Sequence, residues 1–392
     1  MTYRTNHQIA AAEAPPIAAV WSWLEGREFP ADRPLLDVAQ ALPSYPPARA
    51  LTDHLKDCLD QPATARYTDI IGLAELRAAL GADIGESHAG RIAADRVLIT
   101  AGCNQAFCVA LMALAQAGDE VILPVPYYFN HQMWLDMLGI RARHLAFRPD
   151  RGGVPDPADA ARLIGPATRA IVLVSPNNPT GVILPPDVIE AFFDLARDRG
   201  VALVLDETYK DFLATDGPPH ALFQRRDWPE TLIQLYSFSK VYSLAGYRVG
   251  SLIGGPAVTV PATKIMDTMQ ISAPHIGQQA ALYGLRHLAD WRAEKRRLML
   301  DRVAALRAAF ETVPTGYSLV SAGAFFAYIG HPFGATPSVE VARRLAERQN
   351  LLCLPGAAFG PDQDGYLRFA FGNIAAEDMP DLVARLAASE RN

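Results

Sequence analysis

Short runs of β-branched and aliphatic residues alternate with segments of helical apolar spacing between about residue 95 and residue 255. This alternation is typical of a mostly parallel sheet with helices on both faces. Seven runs are expected to form its strands: Val97–Thr100, Glu120–Leu123, Ala142–Leu145, Ala170–Val174, Ala202–Leu205, Leu232–Leu235 and Val249–Ile253. The last run lies close behind its neighbour, so we expect it to be antiparallel.

Three of the intervening segments, Asn104–Ala117, His131–Leu138 and Asp187–Arg199, place apolar residues at the spacing of a helix. The third follows two prolines and is closed by Gly200, which are residues that favour a helix start and a helix end. The pattern therefore predicts an α/β fold, with a mostly parallel seven-stranded sheet flanked by helices.

The two ends of the chain have a different pattern. Residues 15–47 are rich in proline, which favours an irregular arm with one short helix near Trp21. After Leu285 we expect a long basic helix with its charges on a solvated face, followed by strands at 324–328 and 366–369.

These differences predict two domains. The large domain is expected to span residues 48–285. A smaller α+β domain would be built from both chain ends, with the arm and part of the domain in 1–47 and the rest in 286–392.

Composition excludes several classes of protein. The chain has 392 residues, half of them apolar, and a net charge of −6 without a basic block, so no nucleic-acid partner is expected. Four scattered cysteines lack metal-binding spacing, and no apolar run reaches the roughly 20 residues that span a bilayer. We therefore expect a soluble cytoplasmic protein that binds no metal and no membrane.

The most informative motif surrounds Lys240, which follows the predicted strand Leu232–Leu235. Ser237 and Ser239 precede this lysine, and Arg248 lies eight residues after it. The amine can form a Schiff base with an aldehyde, while a hydroxyl and a guanidinium can hold a phosphate. A lysine is more often a solvated surface charge, but ligands bind at the carboxyl ends of strands in open α/β sheets. The motif therefore indicates a pyridoxal-phosphate site.

A second motif, Asp206-Glu207-Thr208-Tyr209, follows the predicted strand Ala202–Leu205. The Asp206 carboxylate could pair with a pyridinium nitrogen and keep it protonated, and Tyr209 could donate to the ring phenolate. The alternative for Asp206 is a carboxylate that caps a helix or a turn.

Three further strand ends carry residues suited to the same cofactor. Asn178 can bind the ring oxygen, the turn at Gly102 opens a helix whose free N–H groups favour phosphate, and Tyr128 can stack on the ring. His131 is expected to support Asp206. Each motif alone also fits an ordinary loop or a core aromatic.

Taken together, these motifs resemble the class I/II aminotransferases of pyridoxal-phosphate fold type I over nearly the whole chain. The lysine-site pattern of that family is matched at every fixed position from Ser237 to Gly250. The resemblance implies that Lys240 forms the Schiff base and moves the proton, with Asp206 and Tyr209 as its catalytic partners. It assigns the cofactor contacts to Lys240, Gly102, Cys103, Asn104, Tyr128, Asn178, Asp206, Tyr209, Ser237, Ser239 and Arg248.

The resemblance also implies a homodimer with shared active sites, because Tyr67 matches a tyrosine that reaches the partner subunit's phosphate. Arg368 matches the arginine that grips the substrate α-carboxylate, and Asn178 would contact the same substrate. Ala41 is assigned to the substrate site by the same resemblance, although the chain departs here from the glycine that many relatives have near this turn, which weakens the case for a backbone contact.

The implied reaction is transfer of an amino group from an L-amino acid to a 2-oxo acid. A neutral donor side chain is expected, because the segment Lys264–His275 contains no arginine and would offer Met266 and Met269 to the substrate. Three alternatives stay open: a carbon–sulfur β-lyase, another non-transaminating enzyme of fold type I such as a decarboxylase or a cyclopropane-forming synthase, and a non-catalytic effector-sensing domain.

Overall fold

Helices and strands alternate through the middle of the chain in the computed structural model, which describes residues 3–391. The strands are β1 (Leu36–Asp37), β2 (Val97–Thr100), β3 (Glu120–Pro124), β4 (Arg141–Leu145), β5 (Thr168–Val174), β6 (Ala202–Asp206), β7 (Leu232–Ser237), β8 (Gly250–Ile253), β9 (Ser318–Gly323), β10 (Phe326–Gly330), β11 (Leu351–Leu352), β12 (Leu354–Pro355) and β13 (Tyr366–Ala370). The helices are α1 (His7–Ala11), α2 (Pro16–Trp21), α3 (Arg49–Leu59), α4 (Ala74–Ser87), α5 (Cys103–Leu114), α6 (Phe129–Leu138), α7 (Pro157–Leu163), α8 (Pro186–Arg199), α9 (Trp228–Thr231), α10 (Pro256–Gln270), α11 (His275–His287), α12 (Ala289–Thr312), α13 (Ser338–Gln349) and α14 (Met379–Ser389).

A seven-stranded sheet forms the centre of the molecule, in the order β2-β8-β7-β6-β5-β3-β4. Only β8 is antiparallel to its neighbours β2 and β7, and the other adjacent strands pair in parallel. The expected α/β fold, including the antiparallel strand, is therefore confirmed.

Both faces of the sheet are covered along its inner strands, which explains why these are largely apolar, whereas the edge strand β4 is mostly exposed. Along β6, Leu203 and Leu205 pack into one apolar cluster, and Val204 packs into another on the opposite face. Successive side chains of a strand point to opposite faces, so the residues after Leu205 continue this alternation. This places Asp206 on the face of Val204.

A second sheet is antiparallel, in the order β12-β13-β10-β9. Beside it, β1 pairs in parallel with β11 through Leu36 with Leu351 and Asp37 with Leu352. The first and last parts of the chain are thus joined through backbone pairing. The domain division at residues 47 and 285 stays a prediction.

The expected long basic helix is present as α12, but it begins at Ala289 and its charges are not all solvated. Two helices, α11 and α12, meet at Leu288, and two of the charges thought to be solvated are buried. Lys295 Nζ lies 4.0 Å from the ring centroid of Trp291 and 5.0 Å from that of Tyr45. Arg302 donates to the Gly372 carbonyl and to the Ser44 hydroxyl. Aromatic faces and the proline-rich arm supply partners that the helix pattern alone could not reveal.

The expected strand at 324–328 begins later, at Phe326, because Ala324 has a left-handed φ of 47° and forms a turn. Across residues 3–391, we find no helix with both the length and the hydrophobicity that a membrane span requires.

Candidate active site

The carboxyl ends of the central strands surround a cavity of about 330 Å³. Gly102, Tyr67, His131, Met266 and Met269 do not line this cavity, whereas the other predicted site residues do: Ala41, Cys103, Asn104, Tyr128, Asn178, Asp206, Tyr209, Ser237, Ser239, Lys240, Arg248 and Arg368. Asp206 ends β6 and Ser237 ends β7, so parallel neighbours bring their last residues to one edge of the sheet.

Lys240 presents its amine to this cavity and is anchored to the arm. Its Nζ donates a hydrogen bond of 2.7 Å to the Ala41 carbonyl oxygen. Desolvation, with smaller contributions from the Arg368 and Arg248 guanidinium groups, lowers the pKa of Lys240 to about 8. A sizeable fraction of the amine is therefore unprotonated near neutral pH, and this is the nucleophilic form.

Asp206 is a buried carboxylate with few strong partners. Its Oδ1 accepts from the Thr208 backbone N–H at 2.9 Å and lies 3.6 Å from Cys103 Sγ, while Oδ2 lies 3.5 Å from His131 Nε2. Burial raises the pKa of Asp206, but the contacts with His131 and Thr208 outweigh it, so the net pKa is lowered. An anionic Asp206 can hold a proton on a facing ring nitrogen.

His131 is fixed behind Asp206 by stacking rather than by hydrogen bonds. Its ring lies 3.9 Å from that of Phe107, measured between centroids, and at 5.2 Å the ring of Tyr128 meets it edge-on. The Tyr128 hydroxyl accepts from Asn130 Nδ2 at 2.8 Å and is 3.5 Å from Asn104 Oδ1. Burial raises the pKa of Tyr128, so the hydroxyl keeps its proton.

Arg368 lies at another wall, buried between Phe326 and Phe359, with 5.3 Å from its guanidinium carbon to each ring centroid. Its Nη1 donates to Asn178 Oδ1 at 3.3 Å and its Nη2 donates to the Ala39 carbonyl. Burial lowers its pKa to about 10. Within residues 3–391 Arg368 forms no ion pair, so its charge is available to a ligand carboxylate.

The opposite corner of the cavity suits a phosphate. Gly102 has a φ of 87° and precedes α5, whose first N–H groups belong to Cys103 and Asn104. A side chain at Gly102 would collide with the Arg248 guanidinium, so glycine allows the arginine to approach. Among the described residues, the Arg248 guanidinium donates only to the carbonyls of Ala245 and Ala101, at 2.9 and 3.2 Å. A cation and a helix N-terminus together favour an anion there.

Tyr209 lies near the amine, with its ring centroid 5.8 Å from Lys240 Nζ. It packs against Phe325 and Phe326, and burial raises its pKa well above the usual value. The hydroxyl therefore stays protonated and can donate a hydrogen bond to an oxygen anion in the cavity.

Tyr67 is outside this arrangement. Its side chain is 75% exposed and does not line the cavity. A role at the partner subunit's site stays a prediction.

The expected substrate contacts of Met266 and Met269 are wrong. Met266 is fully buried in the apolar cluster beneath the sheet, because α10 packs on α5, and Met269 is 46% exposed on α10. The apolar wall is formed instead by Ile17, Leu42 and Phe129. Ile17 was missed because it lies in α2, far along the chain from every motif, and no local pattern connects it to the lysine.

The donor set fits pyridoxal phosphate. Lys240 offers an amine of lowered pKa, Asp206 an anion for the ring nitrogen, and Asn178 and Tyr209 polar groups for the ring oxygen. The part of the cavity at Gly102 and Arg248 has room for a phosphate because position 102 lacks a side chain, which would collide with the Arg248 guanidinium.

Comparisons with known proteins identify the family of the chain. The family model described as aminotransferase class I and II matches residues 33–386. A protein of Arabidopsis thaliana named aromatic aminotransferase ISS1 is 29% identical over 361 residues, which are 90% of this chain and 88% of that protein. An aspartate aminotransferase of Pyrococcus horikoshii is 26% identical over 338 residues, 84% of each chain.

Solved structures have the same fold. A single mutant of Thermus thermophilus aspartate aminotransferase superimposes with a TM-score of 0.90 at 25% identity, covering 99% of this chain and 100% of that one. A tetra mutant of that enzyme gives a TM-score of 0.89 at 25% identity, with the same coverage.

Proposed function

The chain belongs to the class I and II aminotransferase family, and from this we propose that its amino donor is an L-amino acid with a neutral side chain. The reaction is pyridoxal-phosphate-dependent transamination, in which the amino group passes to a 2-oxo acid.

Pyridoxal phosphate, when bound, supplies an aldehyde that takes up amines and a ring that accepts electrons as the substrate Cα–H bond breaks. Its phosphate would be held by the N–H groups of Cys103 and Asn104, and by Ser237 and Arg248. Asp206 would face the ring nitrogen, while Asn178 and Tyr209 would bind the ring oxygen. Tyr128 would stack on the ring.

The remaining steps belong to three side chains. Arg368 binds the substrate α-carboxylate and so fixes the direction of the Cα–H bond. Lys240, with a pKa of about 8, can accept the Cα proton as an amine and return it as an ammonium. Asp206 stays anionic and keeps the ring nitrogen protonated.

One observation supports the neutral donor: apart from Gln40 and Thr208, the cavity-lining residues that have no assigned role are apolar. Its only cations within the described chain are Lys240, Arg248 and Arg368. The second carboxylate of aspartate would therefore lie against Ile17, Leu42 or Phe129 without a cation, which is costly. The relatives named after aromatic and aspartate substrates include both possibilities, and the Thermus tetra mutant was solved with tryptophan.

The test is a panel of amino donors with 2-oxoglutarate or pyruvate as acceptor. We expect kcat/KM for at least one neutral amino acid to exceed that for aspartate by about tenfold or more. Aspartate as the best donor would contradict the proposal. Release of pyruvate, ammonia and a thiol, without transfer to the acceptor, would favour the β-lyase alternative.

Two variants test the apolar wall directly. Ile17→Arg adds a cation to the cavity and should move the preference toward aspartate. Ile9→Arg is the matched control, because Ile9 is exposed on α1 and does not line the cavity. An equal effect of both variants would remove Ile17 from the substrate site.

The proposal includes a homodimer in which Tyr67 contacts the partner subunit's site. In heterodimers of Lys240→Ala and Tyr67→Ala chains, both changes should fall in one site and leave the other intact. We expect recovery of one active site per dimer. A protein that sediments as a monomer at the assay concentration would contradict this arrangement.

A cytoplasmic location is also proposed, from the scattered cysteines of the sequence. Fractionation of cells that express the protein would test it, and recovery in a membrane or secreted fraction would contradict it.

A further inference from the structure

A second buried carboxylate, Glu207, lies directly after Asp206 and points to the opposite face of the sheet. Asp206 contacts Cys103 and His131, whereas Glu207 faces His88 and His220. Glu207 and these last two histidines are all fully buried. Glu207 lines no part of the active-site cavity and has no role in the reaction described above.

Three side chains surround the Glu207 carboxylate. Gln234 Nε2 donates to Oε2 at 2.8 Å, and His88 Nε2 lies 3.0 Å from Oε2 and 3.2 Å from Oε1. His220 Nε2 lies 3.6 Å from Oε1. The rings of His88 and His220 are 4.6 Å apart between centroids, so the whole cluster is closely packed.

The hydrogen bonds of His88 direct the proton of its Nε2 at Glu207. His88 Nδ1 lies 2.9 Å from the Ile84 carbonyl oxygen and 3.0 Å from the Ser87 hydroxyl oxygen. His88 Nε2 faces a carboxylate, which accepts, so Nε2 is the donor of that hydrogen bond. Burial raises the pKa of Glu207, but His88 and His220 hold it well below its usual range. Glu207 is therefore a buried carboxylate that accepts hydrogen bonds from His88 and Gln234.

Glu207, His88 and His220 could instead hold a metal ion, because their ligand atoms lie within 4.8 Å of one another. However, the Leu222 backbone N–H donates to His220 Nδ1 at 3.2 Å. The proton of a neutral His220 is then on Nε2, the atom that would have to bind the metal. The cluster is better matched to hydrogen bonding.

The cluster joins elements that carry the active site. His88 follows α4, His220 lies in the loop before Leu222, and Gln234 lies on β7, three residues before Ser237. Glu207 belongs to the turn that holds Asp206, since the Thr208 N–H donates to Asp206 Oδ1 at 2.9 Å. A fixed Glu207 side chain thus restrains the strand ends that present Asp206 and Ser237.

We propose that Glu207 is a positioning residue, whose hydrogen bonds from His88 and Gln234 hold the 206–209 turn in its working conformation. For its effect on catalysis, this inference rests on the proposed transamination. Its effect on the conformation of the turn does not rest on transamination. The effect on the turn and the effect on catalysis can therefore fail separately.

The first experiment measures hydrogen–deuterium exchange of the 203–212 segment in cofactor-free protein. Glu207→Gln keeps the shape and removes the charge, and should speed exchange of this segment at least tenfold. Glu120→Gln is the matched control. Glu120 is also buried on the sheet and pairs with Arg141 and Arg143, but it begins β3 and does not line the cavity. Equal exchange of the segment in both variants would overturn the proposal.

The second experiment separates positioning from stability in holoenzyme. Well below its Tm, Glu207→Gln should lower kcat about tenfold and leave KM within about twofold, whereas Glu120→Gln should change neither. A lower Tm with unchanged kcat would overturn the proposal. If Glu207→Gln does not fold, His88→Gln replaces it and must show the same pattern. One tightly bound zinc per wild-type chain, lost in His88→Gln, would instead make the cluster a metal centre. If wild type transfers no amino group, the proposed function fails. The exchange result still decides whether Glu207 holds the 206–209 turn.

Discussion

Asp206 and Glu207 are adjacent, buried and both faced by histidine, yet their surroundings prepare them for different tasks. Asp206 lines the cavity, and its side-chain neighbours Cys103 and His131 lie 3.5 to 3.6 Å away. Glu207 is enclosed, with donors at 2.8 to 3.2 Å. A carboxylate with unused acceptor capacity beside a cavity can bind a ligand, while a saturated one holds structure. Successive side chains along a strand point to opposite faces, so the two adjacent carboxylates lie in different surroundings and have different roles.

The largest difference is expected between substitutions of two lysines. Lys240 lines the cavity with Asp206, whereas Lys210 lies on the side of Glu207. Lys240→Ala should abolish turnover and covalent cofactor attachment while the protein stays folded. Lys210→Met should instead lower the Tm and keep attachment, because Lys210 pairs with Asp83 and Asp211 on the side of Glu207. Borohydride reduction followed by mass spectrometry reads out attachment. A stable adduct in Lys240→Ala would contradict the assignment.

The next effect is on catalysis at Asp206. Asp206→Ala should lower kcat by about a thousandfold, because the ring nitrogen loses the anion that keeps it protonated. Its free energy of unfolding should change by less than about 1 kcal/mol, since Asp206 has few strong partners. Steady-state kinetics and urea denaturation measure the two quantities. Near-normal kcat with only weaker cofactor binding would show that Asp206 is structural.

Glu207→Ala should have the opposite pattern to Asp206→Ala, with a larger effect on the free energy of unfolding and a smaller effect on kcat. Removal of the Glu207 carboxylate leaves the buried donors of His88 and Gln234 without their acceptor, and we expect a loss of about 3 kcal/mol in the free energy of unfolding. Urea denaturation of the cofactor-free protein provides the measurement. A loss no greater than that of Asp206→Ala would end the distinction between the two carboxylates.

The pH dependence of stability should reveal the ionisation of Glu207. Because folding lowers the pKa of Glu207 from its usual 4.5, its stabilising effect is complete above about pH 4.5 and is lost as the pH falls through the folded value. The stability difference between wild type and Glu207→Gln should therefore shrink below pH 4.5, by at most about 1.4 kcal/mol per pH unit. Urea denaturation at several pH values tests this. A difference that grows on acidification would contradict the lowered pKa.

The smallest expected effect concerns the Lys240 amine in cofactor-free protein. Its reaction with an amine reagent should have a midpoint near pH 8. Arg368→Gln removes a neighbouring positive charge and should move this midpoint upward, because an ammonium then forms more easily. Arg307→Gln serves as a control, since Arg307 does not line the cavity. A downward movement in Arg368→Gln would contradict the electrostatic cause.

The features predicted correctly from the sequence are those with a local signal. Strand runs and the residues just after them define the sheet and most of the cavity, because parallel strands bring their carboxyl ends together. The features that were missed depend on long-range contacts. His88 lies 119 residues from Glu207, and no pattern near either one connects them. Lys295 is buried because it meets Tyr45 from the other end of the chain.

Arg368 has a consequence for folding itself. The folded chain encloses this guanidinium between two phenylalanine rings, and none of the described acidic residues forms an ion pair with it. A carboxylate ligand can therefore bind this guanidinium in the native state but not in the unfolded chain. Its binding free energy stabilises the native state, so the melting temperature should depend on ligand concentration. A simple monocarboxylate should raise the melting temperature of the cofactor-free protein, and Arg368→Gln should be insensitive to it. The positive charge of Arg368, which selects the substrate carboxylate, thus also lets the substrate stabilise the folded protein.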